Sequence, residues 1–489
     1  MNYRLLSRLF GVLLFFIAAA MLVCLGFEWA FGETYTRADA TEAFVLSAGI
    51  TALTGMVLLA LGAGAREEVL RKEAIAVVGL GWVICAVFGA LPYMFCEPRL
   101  GFVAAVFESM SGFTTTGSTV IPDLDLYPRS ILLYRSLTQW LGGMGILVLF
   151  VALLSYLGVG SKALFHHESS ARSGGGLQAR IHDVALRLWQ IYLGLSIACF
   201  AGLMLLGMSF YDAVCHAFAT VSTGGFSPHN ESVAAFDSLG IELWLSLFML
   251  LGSVSFMLYA WLLRGDWNRW QREEETRLFL TVVTVAVVVL ALDLMALGNH
   301  SFGHAVRESI FQVVSIVTTT GFATEDYGSW PPFSEWILML LMCIGGCAGS
   351  TAGGIKISRW LLFARVVRLE IISAFRPSQV IALRLNGDSV GEQLKLQTVF
   401  FVGFAAVMAA LGTGMVSLLE PTLDLDSSFS ATLATLFNIG PGIGAVGPTQ
   451  NFAHLSAPTL ALLTLFMLLG RLEFFAVLVL FAPSLWRKY

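Results

Sequence analysis

The sequence predicts an all-α integral membrane protein, built from four repeated units around a common axis and preceded by an N-terminal two-helix hairpin. Three observations support this fold class: long apolar runs, a short Thr/Gly stretch that recurs four times, and the concentration of basic residues in alternate loops. The 489 residues have a mean hydropathy of +0.79, and only 12% are charged. A soluble domain carries about 25% charged residues, so this composition excludes a soluble globular protein.

Hydrophobic runs set the predicted number of membrane crossings. A helix needs about 20 apolar residues to cross a hydrocarbon core of about 30 Å. With an interrupted tenth run at 336–367, the sequence predicts about ten transmembrane spans. The first run is long and lacks a small-residue cleavage site, so we expect a retained helix rather than a secretory signal. The nine continuous runs lie near 9–31, 43–64, 74–95, 131–157, 184–208, 240–263, 278–298, 394–418 and 456–482.

Basic residues are concentrated in one set of alternate loops. Most of the 28 Lys and Arg residues fall there, whereas the opposite loops carry only Arg37, Arg99, Arg129 and Arg307. The positive-inside rule then places both termini in the cytoplasm, which requires an even number of crossings. The opposite loops are acidic and would raise the local cation concentration, although each charge is equally consistent with an ordinary solvated loop. These acidic residues are Glu97, Asp123, Asp125, Asp212, Glu231, Asp237, Glu325, Asp326, Glu420, Asp424 and Asp426.

A short stretch rich in Thr and Gly recurs at near-regular spacing. It reads SGFTTTGSTV at 111–120, TVSTGGF at 220–226, VTTTGF at 317–322 and FNIGPG at 437–442. One copy alone would more often be a helix-packing surface, but four copies indicate an internal repeat of a little over a hundred residues. Alignment on one glycine per copy brings together Gly117, Gly224, Gly321 and Gly440.

Each copy has the same surroundings. A segment of ten to fourteen residues precedes it, which is too short to cross a membrane, and a long apolar run lies on either side. The unit is therefore a span, a re-entrant half-helix, a loop and a second span. Two spans return the chain to the same side, so the four units point the same way around an axis along the membrane normal. The predicted division is a hairpin at 1–70 and repeats at 71–165, 166–270, 271–385 and 386–489.

Four such loops around one axis favour a cation path. Non-helical backbone at membrane depth survives only where it is buried in protein or lines a water-filled path. Glycine allows backbone angles that a Cβ forbids, and each half-helix would direct its partially negative C-terminal end at the axis. Rings of peptide carbonyls can replace the hydration shell of a cation. A neutral or anionic substrate would be poorly served by this arrangement.

The second span of the third unit differs from the others. As one helix, residues 336–367 would extend about 48 Å at 1.5 Å per residue, well beyond a core of about 30 Å. We predict a helix broken by a flexible loop at 345–354, which could obstruct a path below the four loops and move aside as a gate. The alternative is a close-packing helix surface of the GxxxG type. The loop glycines are Gly345, Gly346, Gly349, Gly353 and Gly354.

Two basic residues lie near this predicted gate. Arg471 falls near the middle of the last span, and Lys356 follows the loop. Intramembrane charges usually face the bundle interior or an aqueous cavity and mark ion pathways. We expect Arg471 to contact carbonyls of the 345–354 loop and to hold a closed state. The alternative is a structural ion pair of Arg471 with Glu473 or Asp293.

Together these features resemble the bacterial Trk/Ktr potassium-uptake family, and specifically its TrkH/TrkG-type transmembrane subunits. The resemblance covers nearly the whole chain, and the extra hairpin near 9–64 is similar to the Trk type. The stretches that carry it are SGFTTTGSTV, WLGGMGILVL, HAFATVSTGGFSPH, FQVVSIVTTTGF, IGGCAGSTAGGIK, NIGPGIG and LGRLEFFAVLVLF.

The resemblance implies a potassium-uptake protein of the bacterial inner membrane with four pore repeats. Its partners would be K⁺, lipid, a second copy in a homodimer and a cytoplasmic TrkA-type nucleotide-binding regulatory subunit. All four aligned positions are glycine, which favours K⁺ over Na⁺, although the fourth loop and Ser222 depart from the Thr pattern. The implied filter residues are Thr115, Thr116, Gly117, Ser222, Thr223, Gly224, Thr319, Thr320, Gly321, Asn438, Ile439 and Gly440.

Other functions remain as alternatives. A sodium- or proton-coupled symporter could use Asp293 as a protonation site, and a less selective K⁺/Na⁺ transporter or a non-conducting receptor would share the same spans. An intramembrane enzyme would need a nucleophile–base pair or metal ligands, and the sequence has no HExxH motif and no plausibly placed GxSxG. We therefore expect no enzymatic activity, no enzymatic cofactor and no nucleic-acid partner. The seven cysteines show no metal-ligand spacing.

Overall fold

A computed structural model describes residues 1–32, 37–65, 71–157, 177–298, 300–376 and 383–486, and the regular secondary structure of this part of the chain is almost entirely helical. The predicted boundary at 165/166 and the basic residues Arg66, Lys162, Arg172, Arg487 and Lys488 lie outside the described residues. The first helices are α1 (Tyr3–Phe31), α2 (Arg37–Leu61), α3 (Arg71–Gly89), α4 (Leu91–Phe95), α5 (Phe102–Phe113), α6 (Arg129–Leu157), α7 (Leu177–Leu205), α8 (Phe210–Val221), α9 (Leu239–Ser253) and α10 (Phe256–Leu262).

The second half of the chain is also helical and contains one short β-hairpin, in which Arg384–Leu385 pairs antiparallel with Asp388–Ser389. Its helices are α11 (Trp267–Arg272), α12 (Glu274–Ala296), α13 (Phe302–Val317), α14 (Pro332–Met342), α15 (Ile357–Phe375), α16 (Glu392–Leu419), α17 (Leu425–Leu436), α18 (Ala457–Arg471), α19 (Phe475–Leu478) and α20 (Pro483–Trp486).

Helix length and apolarity identify the chain as an integral membrane protein. Six helices of the described residues are long and apolar enough to cross a membrane, and two bent helix pairs raise this number to eight. Helix α6 and the interrupted pair α14/α15 occupy the remaining two of the ten predicted spans. In the N-terminal hairpin, a Cβ on Gly11 would lie 2.9 Å from the carbonyl oxygen of Gly55, so small residues let α1 and α2 approach closely.

Four helices are half-helices of the predicted kind: α5, α8, α13 and α17 have 12, 12, 16 and 12 residues. Two of these half-helices begin at N-cap residues: Ser209 Oγ accepts from Asp212 N–H at 3.1 Å, and Asp424 Oδ1 accepts from Ser427 N–H at 3.1 Å. These side chains satisfy N–H groups that a helix start leaves unpaired. Each half-helix ends at one copy of the Thr/Gly stretch.

Second spans are broken in three repeats, not only in the third. The predicted break lies between α14 and α15, but α9/α10 also bend by 91° and α18/α19 by 110°. The first bend has a non-local cause: the Gly252 and Ser253 carbonyls accept from Thr351 and Cys347 N–H groups of the 345–354 loop. At the second, Glu473 and Phe474 have φ of 55° and 60°, angles that end an α-helix. Neither bend was predicted, because both runs are continuous in hydrophobicity.

Candidate functional site

The four Thr/Gly stretches share one backbone conformation. The residues at the ends of the half-helices have left-handed φ angles: 51° at Thr115, 54° at Thr223, 56° at Thr319 and 55° at Asn438. Two residues later comes a glycine with φ between 77° and 110° in every repeat. Glycine tolerates this region without a steric penalty. These glycines are Gly117, Gly225, Gly321 and Gly440.

This pattern corrects the sequence alignment in the second repeat, where Gly225 and not Gly224 is equivalent to the other three glycines. Hydrogen bonds give the same register: the residue before the glycine donates its N–H to the carbonyl five residues back in all four copies. The four bonds are Thr116 to Ser111, Gly224 to Ala219, Thr320 to Ser315 and Ile439 to Ala434, at 2.8–2.9 Å. The Gly224–Gly225 doublet offers two alignments by letter, and only the backbone angles distinguish them.

The four loops meet around one centre. A Cβ on each glycine would collide with a carbonyl oxygen of the next repeat, and the fourth repeat returns to the first. The distances would be 2.4 Å from Gly117 to Gly224 O, 1.8 Å from Gly225 to Thr320 O, 2.1 Å from Gly321 to Ile439 O and 2.9 Å from Gly440 to Thr116 O. The backbone therefore forms a closed ring in chain order, with peptide oxygens packed against glycines.

Buried hydroxyl and amide groups stabilise the ring through side-chain hydrogen bonds. In repeats 1 and 3 the first and third threonines share a hydrogen bond, with 2.7 Å between Thr114 and Thr116 Oγ1 atoms and 2.8 Å between Thr318 and Thr320. The fourth repeat has Asn438 instead, whose Nδ2 donates to Thr116 Oγ1 at 2.9 Å. The departure from the Thr pattern thus connects the fourth loop to the first. All of these side chains are buried.

A cavity of about 130 Å³ opens on the side to which the loops run after the ring. The four positive-φ glycines line it together with His229 of repeat 2, and Gly224 is not among its lining residues. No carboxylate is among the described residues that line it. Acidic groups bond to lining residues instead: Asp123 Oδ1 accepts from Asn230 Nδ2 at 2.8 Å, and Glu108 Oε1 accepts from Arg135 Nε at 2.7 Å.

A buried ion pair braces the ring, and sequence reasoning missed it. Arg135 Nε donates to Glu108 Oε1 at 2.7 Å, and its Nη1 donates to Ser227 O of the next repeat at 3.2 Å. The Arg135 guanidinium also lies 4.0 Å from the Phe226 ring centre. The only sequence signal was an arginine at the start of an apolar run. Its partner is 27 residues away and follows no local rule.

We expect Arg135→Ala to lower the free energy of unfolding by about 3–5 kcal/mol, because it leaves the buried Glu108 carboxylate without a counter-charge. Thermal unfolding of the detergent-solubilised protein measures this loss. The matched control is Arg99→Ala, which removes an exposed pair with Glu97 and should cost at most about 1 kcal/mol. Equal losses in the two variants would contradict the bracing role.

A second pair lies beside the cavity. His229 Nε2 is 2.9 Å from Asp212 Oδ1, and this hydrogen bond to a carboxylate raises the pKa of His229 above 6.5. Because the pKa of His229 is higher in the folded state than in the unfolded state, the pair contributes its full stability at pH values below the unfolded-state pKa. This contribution is lost as the pH rises through the folded-state pKa.

We therefore expect the stability difference between the native protein and His229→Gln to be largest near pH 5.5 and to shrink toward pH 8.5. Thermal unfolding midpoints across this pH range measure it. Asp212→Asn should remove most of the pH dependence, and a difference that grows with pH would contradict the assignment.

The 345–354 loop lies against the other face of the ring. Gly353 N–H donates to Thr319 Oγ1 at 2.6 Å, Gly354 N–H donates to Phe437 O at 2.8 Å, and Thr351 Oγ1 donates to Val221 O at 3.0 Å. The loop thus touches repeats 2 and 4 just before their ring residues and repeat 3 at Thr319 itself. Residues 343–356 are non-helical, so the alternative of a continuous GxxxG packing helix is wrong.

Arg471 lies next to this loop, as predicted. Its Nη1 donates to Thr351 O at 2.8 Å, whereas Nε and Nη2 have no hydrogen-bond partner among the described residues. The alternative ion pairs are absent from the described residues, since Glu473 pairs with Arg359 and Asp293 Oδ2 accepts from Ser334 Oγ at 2.6 Å. Lys356 Nζ also donates into the loop, to Ala352 O. Both basic residues therefore bind loop carbonyls.

Comparison with known proteins agrees with this architecture. The family described as TrkH, cation transport protein, matches residues 42–488. The chain is 36% identical over 492 residues to the Trk system potassium uptake protein TrkH of Halomonas elongata, and 35% identical over 494 residues to that of Escherichia coli K12, with 100% of each chain covered in both cases. The crystal structure of the potassium transporter TrkH from Vibrio parahaemolyticus matches with a TM-score of 0.90 and 33% identity, covering 100% of both chains. The chain therefore belongs to the TrkH family of cation transport proteins.

Proposed function

We propose that this protein takes up potassium across the bacterial inner membrane through the ring of four loops, with the 345–354 loop as its gate. The observation that carries the proposal is the closed ring itself, in which four equivalent backbone segments meet around one centre. A ring of peptide oxygens can replace the water lost by an alkali cation. The relatives are named as potassium uptake proteins, which supports K⁺ as the substrate and argues against an enzyme.

The ion site is proposed from the corrected register. It comprises the left-handed residue, the residue after it and the glycine of each loop: Thr115, Thr116, Gly117, Thr223, Gly224, Gly225, Thr319, Thr320, Gly321, Asn438, Ile439 and Gly440. Ser222 moves out of the aligned set, because it is equivalent to Thr114, Thr318 and Phe437. The Gly224 carbonyl is already an acceptor for Gln139 Nε2 at 2.6 Å, so the second loop is the least symmetric member.

Complementation tests the function directly. A bacterium deficient in potassium uptake should regain growth at low potassium when it expresses this chain. Failure of the well-expressed, membrane-inserted protein to restore growth or to take up rubidium would contradict the proposal. A non-conducting receptor would give this result.

The coupled symporter remains a second candidate with weaker support. The Asp293 carboxylate accepts a hydrogen bond from Ser334, which favours a structural role over proton exchange. Reversal potentials in proteoliposomes separate the two: a value that follows the K⁺ gradient alone supports a channel-like path, and a shift with the proton or sodium gradient supports coupling. A less selective K⁺/Na⁺ path would show a potential set by both alkali ions.

Assembly and topology also remain proposals. The five-part division of the chain, a homodimer, a TrkA-type cytoplasmic partner and cytoplasmic termini all fit the family and the basic alternate loops. Crosslinking in membranes, co-purification with the regulatory subunit and labelling of terminal tags from either side test them separately.

A further inference from the structure

A cluster of side chains of the types that ligate metals lies outside the ring and the 345–354 loop. His300, His304 and Glu325 each bring a ligand atom within 4.8 Å of the others. His300 precedes half-helix α13 and His304 lies in its first turn, whereas Glu325 lies four residues after Gly321 of the ring. The cluster therefore joins the start of a half-helix to the segment that leaves the proposed ion site.

The geometry points to a binding site for a borderline transition-metal ion, of which Zn²⁺ is the representative, formed by His300, His304 and Glu325. Two imidazoles and one carboxylate suit Zn²⁺, Cu²⁺ or Ni²⁺ rather than Mg²⁺ or Ca²⁺, which prefer oxygen ligands alone. The site is independent of the ring, so its existence does not depend on potassium transport.

The spacing can be closed by side-chain rotation. Ligand atoms around tetrahedral Zn²⁺, with bonds of roughly 2.0–2.2 Å, lie about 3.4 Å apart. His304 Nε2 and Glu325 Oε1 are already 3.8 Å apart, and the His300 and His304 ring centres are 4.9 Å apart. The His304 side chain is 44% exposed, so it can turn without displacing packed neighbours and an ion can reach it from solvent.

An outer carboxylate lies beside the central histidine, close enough to accept from it after a small rotation. His304 has Glu325 on its Nε2 side and Glu308 on its Nδ1 side, with Nδ1 3.9 Å from Glu308 Oε1. Metal-binding histidines generally direct the second ring nitrogen at such a carboxylate, which fixes the tautomer. Glu308 is itself held, because its Oε2 accepts from Thr324 Oγ1 at 2.5 Å.

Arg307, a cation close to the cluster, is already compensated. Arg307 donates to both carboxylate oxygens of Glu242, at 2.7 and 2.6 Å, and to Asp237 at 3.0 Å. Its Nε is 4.0 Å from Glu308 Oε1. Repulsion of a divalent ion by Arg307 is therefore offset by carboxylates that the metal does not use.

Isothermal titration of the purified full-length protein with ZnCl₂ tests the site. We expect saturable binding, an affinity at least tenfold lower in His304→Gln and in His300→Gln, and a loss of about tenfold in Glu308→Gln through the outer carboxylate. The matched control is His454→Gln, an exposed histidine elsewhere, which should bind as the native protein does. MgCl₂ should not bind at this site, so any signal with MgCl₂ should be the same in the native protein and in His304→Gln.

The unfolding temperature shows whether a variant has lost a metal ligand or has lost its fold. Each variant should unfold at the native temperature without metal, and Zn²⁺ should raise the unfolding temperature of the native protein but not of His300→Gln. Absence of saturable Zn²⁺ binding, or equal affinity in the native protein, His304→Gln and His300→Gln, would overturn the proposal.

Discussion

Gly225→Ala is expected to reduce potassium uptake by about 100-fold or more, because displacing groups that must be positioned closely around an ion by about 1 Å costs on the order of that factor. The new Cβ would lie 1.8 Å from the Thr320 carbonyl oxygen, and the residue has φ of 77°. An L-residue is strained at this angle, and the clash is with backbone rather than with a movable side chain. Rubidium uptake into proteoliposomes measures the loss.

The control for this substitution is Gly403→Ala in helix α16, where a Cβ would meet no atom within 4 Å. It should retain native uptake. Gly225→Ala should still be expressed and elute as the native protein does. If it conducts normally, the ring is not the ion path, and the corrected register of the second repeat loses its functional meaning.

Arg471→Gln is expected to raise uptake in the closed state by roughly tenfold to a hundredfold. Arg471 gives the loop one charged hydrogen bond, to Thr351 O, and such bonds contribute about 1.5–3 kcal/mol. Removing this hydrogen bond changes the free-energy difference between the loop held against the ring and the loop moved aside by the same amount, about 1.5–3 kcal/mol, which increases the open fraction of the protein. Rubidium uptake without any regulatory subunit measures the basal leak.

Arg359→Gln is the matched control, since its guanidinium pairs with Glu473 and lies 3.7 Å from the Phe401 ring centre, with no hydrogen bond to the loop. We expect its basal uptake to stay near the native value, and Lys356→Gln to show a smaller increase of the same sign as Arg471→Gln. Unchanged uptake in a well-folded Arg471→Gln protein would contradict the gate.

Much of the fold was predictable because its signals are local. Span lengths follow from hydrophobic runs, half-helices from short segments bounded by polar residues, and the loop at 345–354 from five glycines in ten residues. The contact of Arg471 with that loop was one of two predicted outcomes, since a charge at membrane depth needs a polar partner. The structure decided between the loop carbonyls and an ion pair with Glu473 or Asp293.

Other features depend on residues that are distant in the chain. The bend after Ser253 exists because the loop a hundred residues later donates to its carbonyls, and the Arg135 brace reaches Ser227 in another repeat. No periodicity carries such information. Hydrogen-bonding capacity is visible in a sequence, but the choice of partner is not.

The sequence by itself determined that four similar loops descend into a membrane, because apolar length and Thr/Gly chemistry are properties of short segments. Only the tertiary structure decided that Gly225 occupies the ring position of the second repeat, that the ring closes from repeat 4 to repeat 1, and that Arg135 connects Glu108 to Ser227 of the next repeat. The physical reason is that a backbone torsion and a contact between repeats are set by the packing of all four units together.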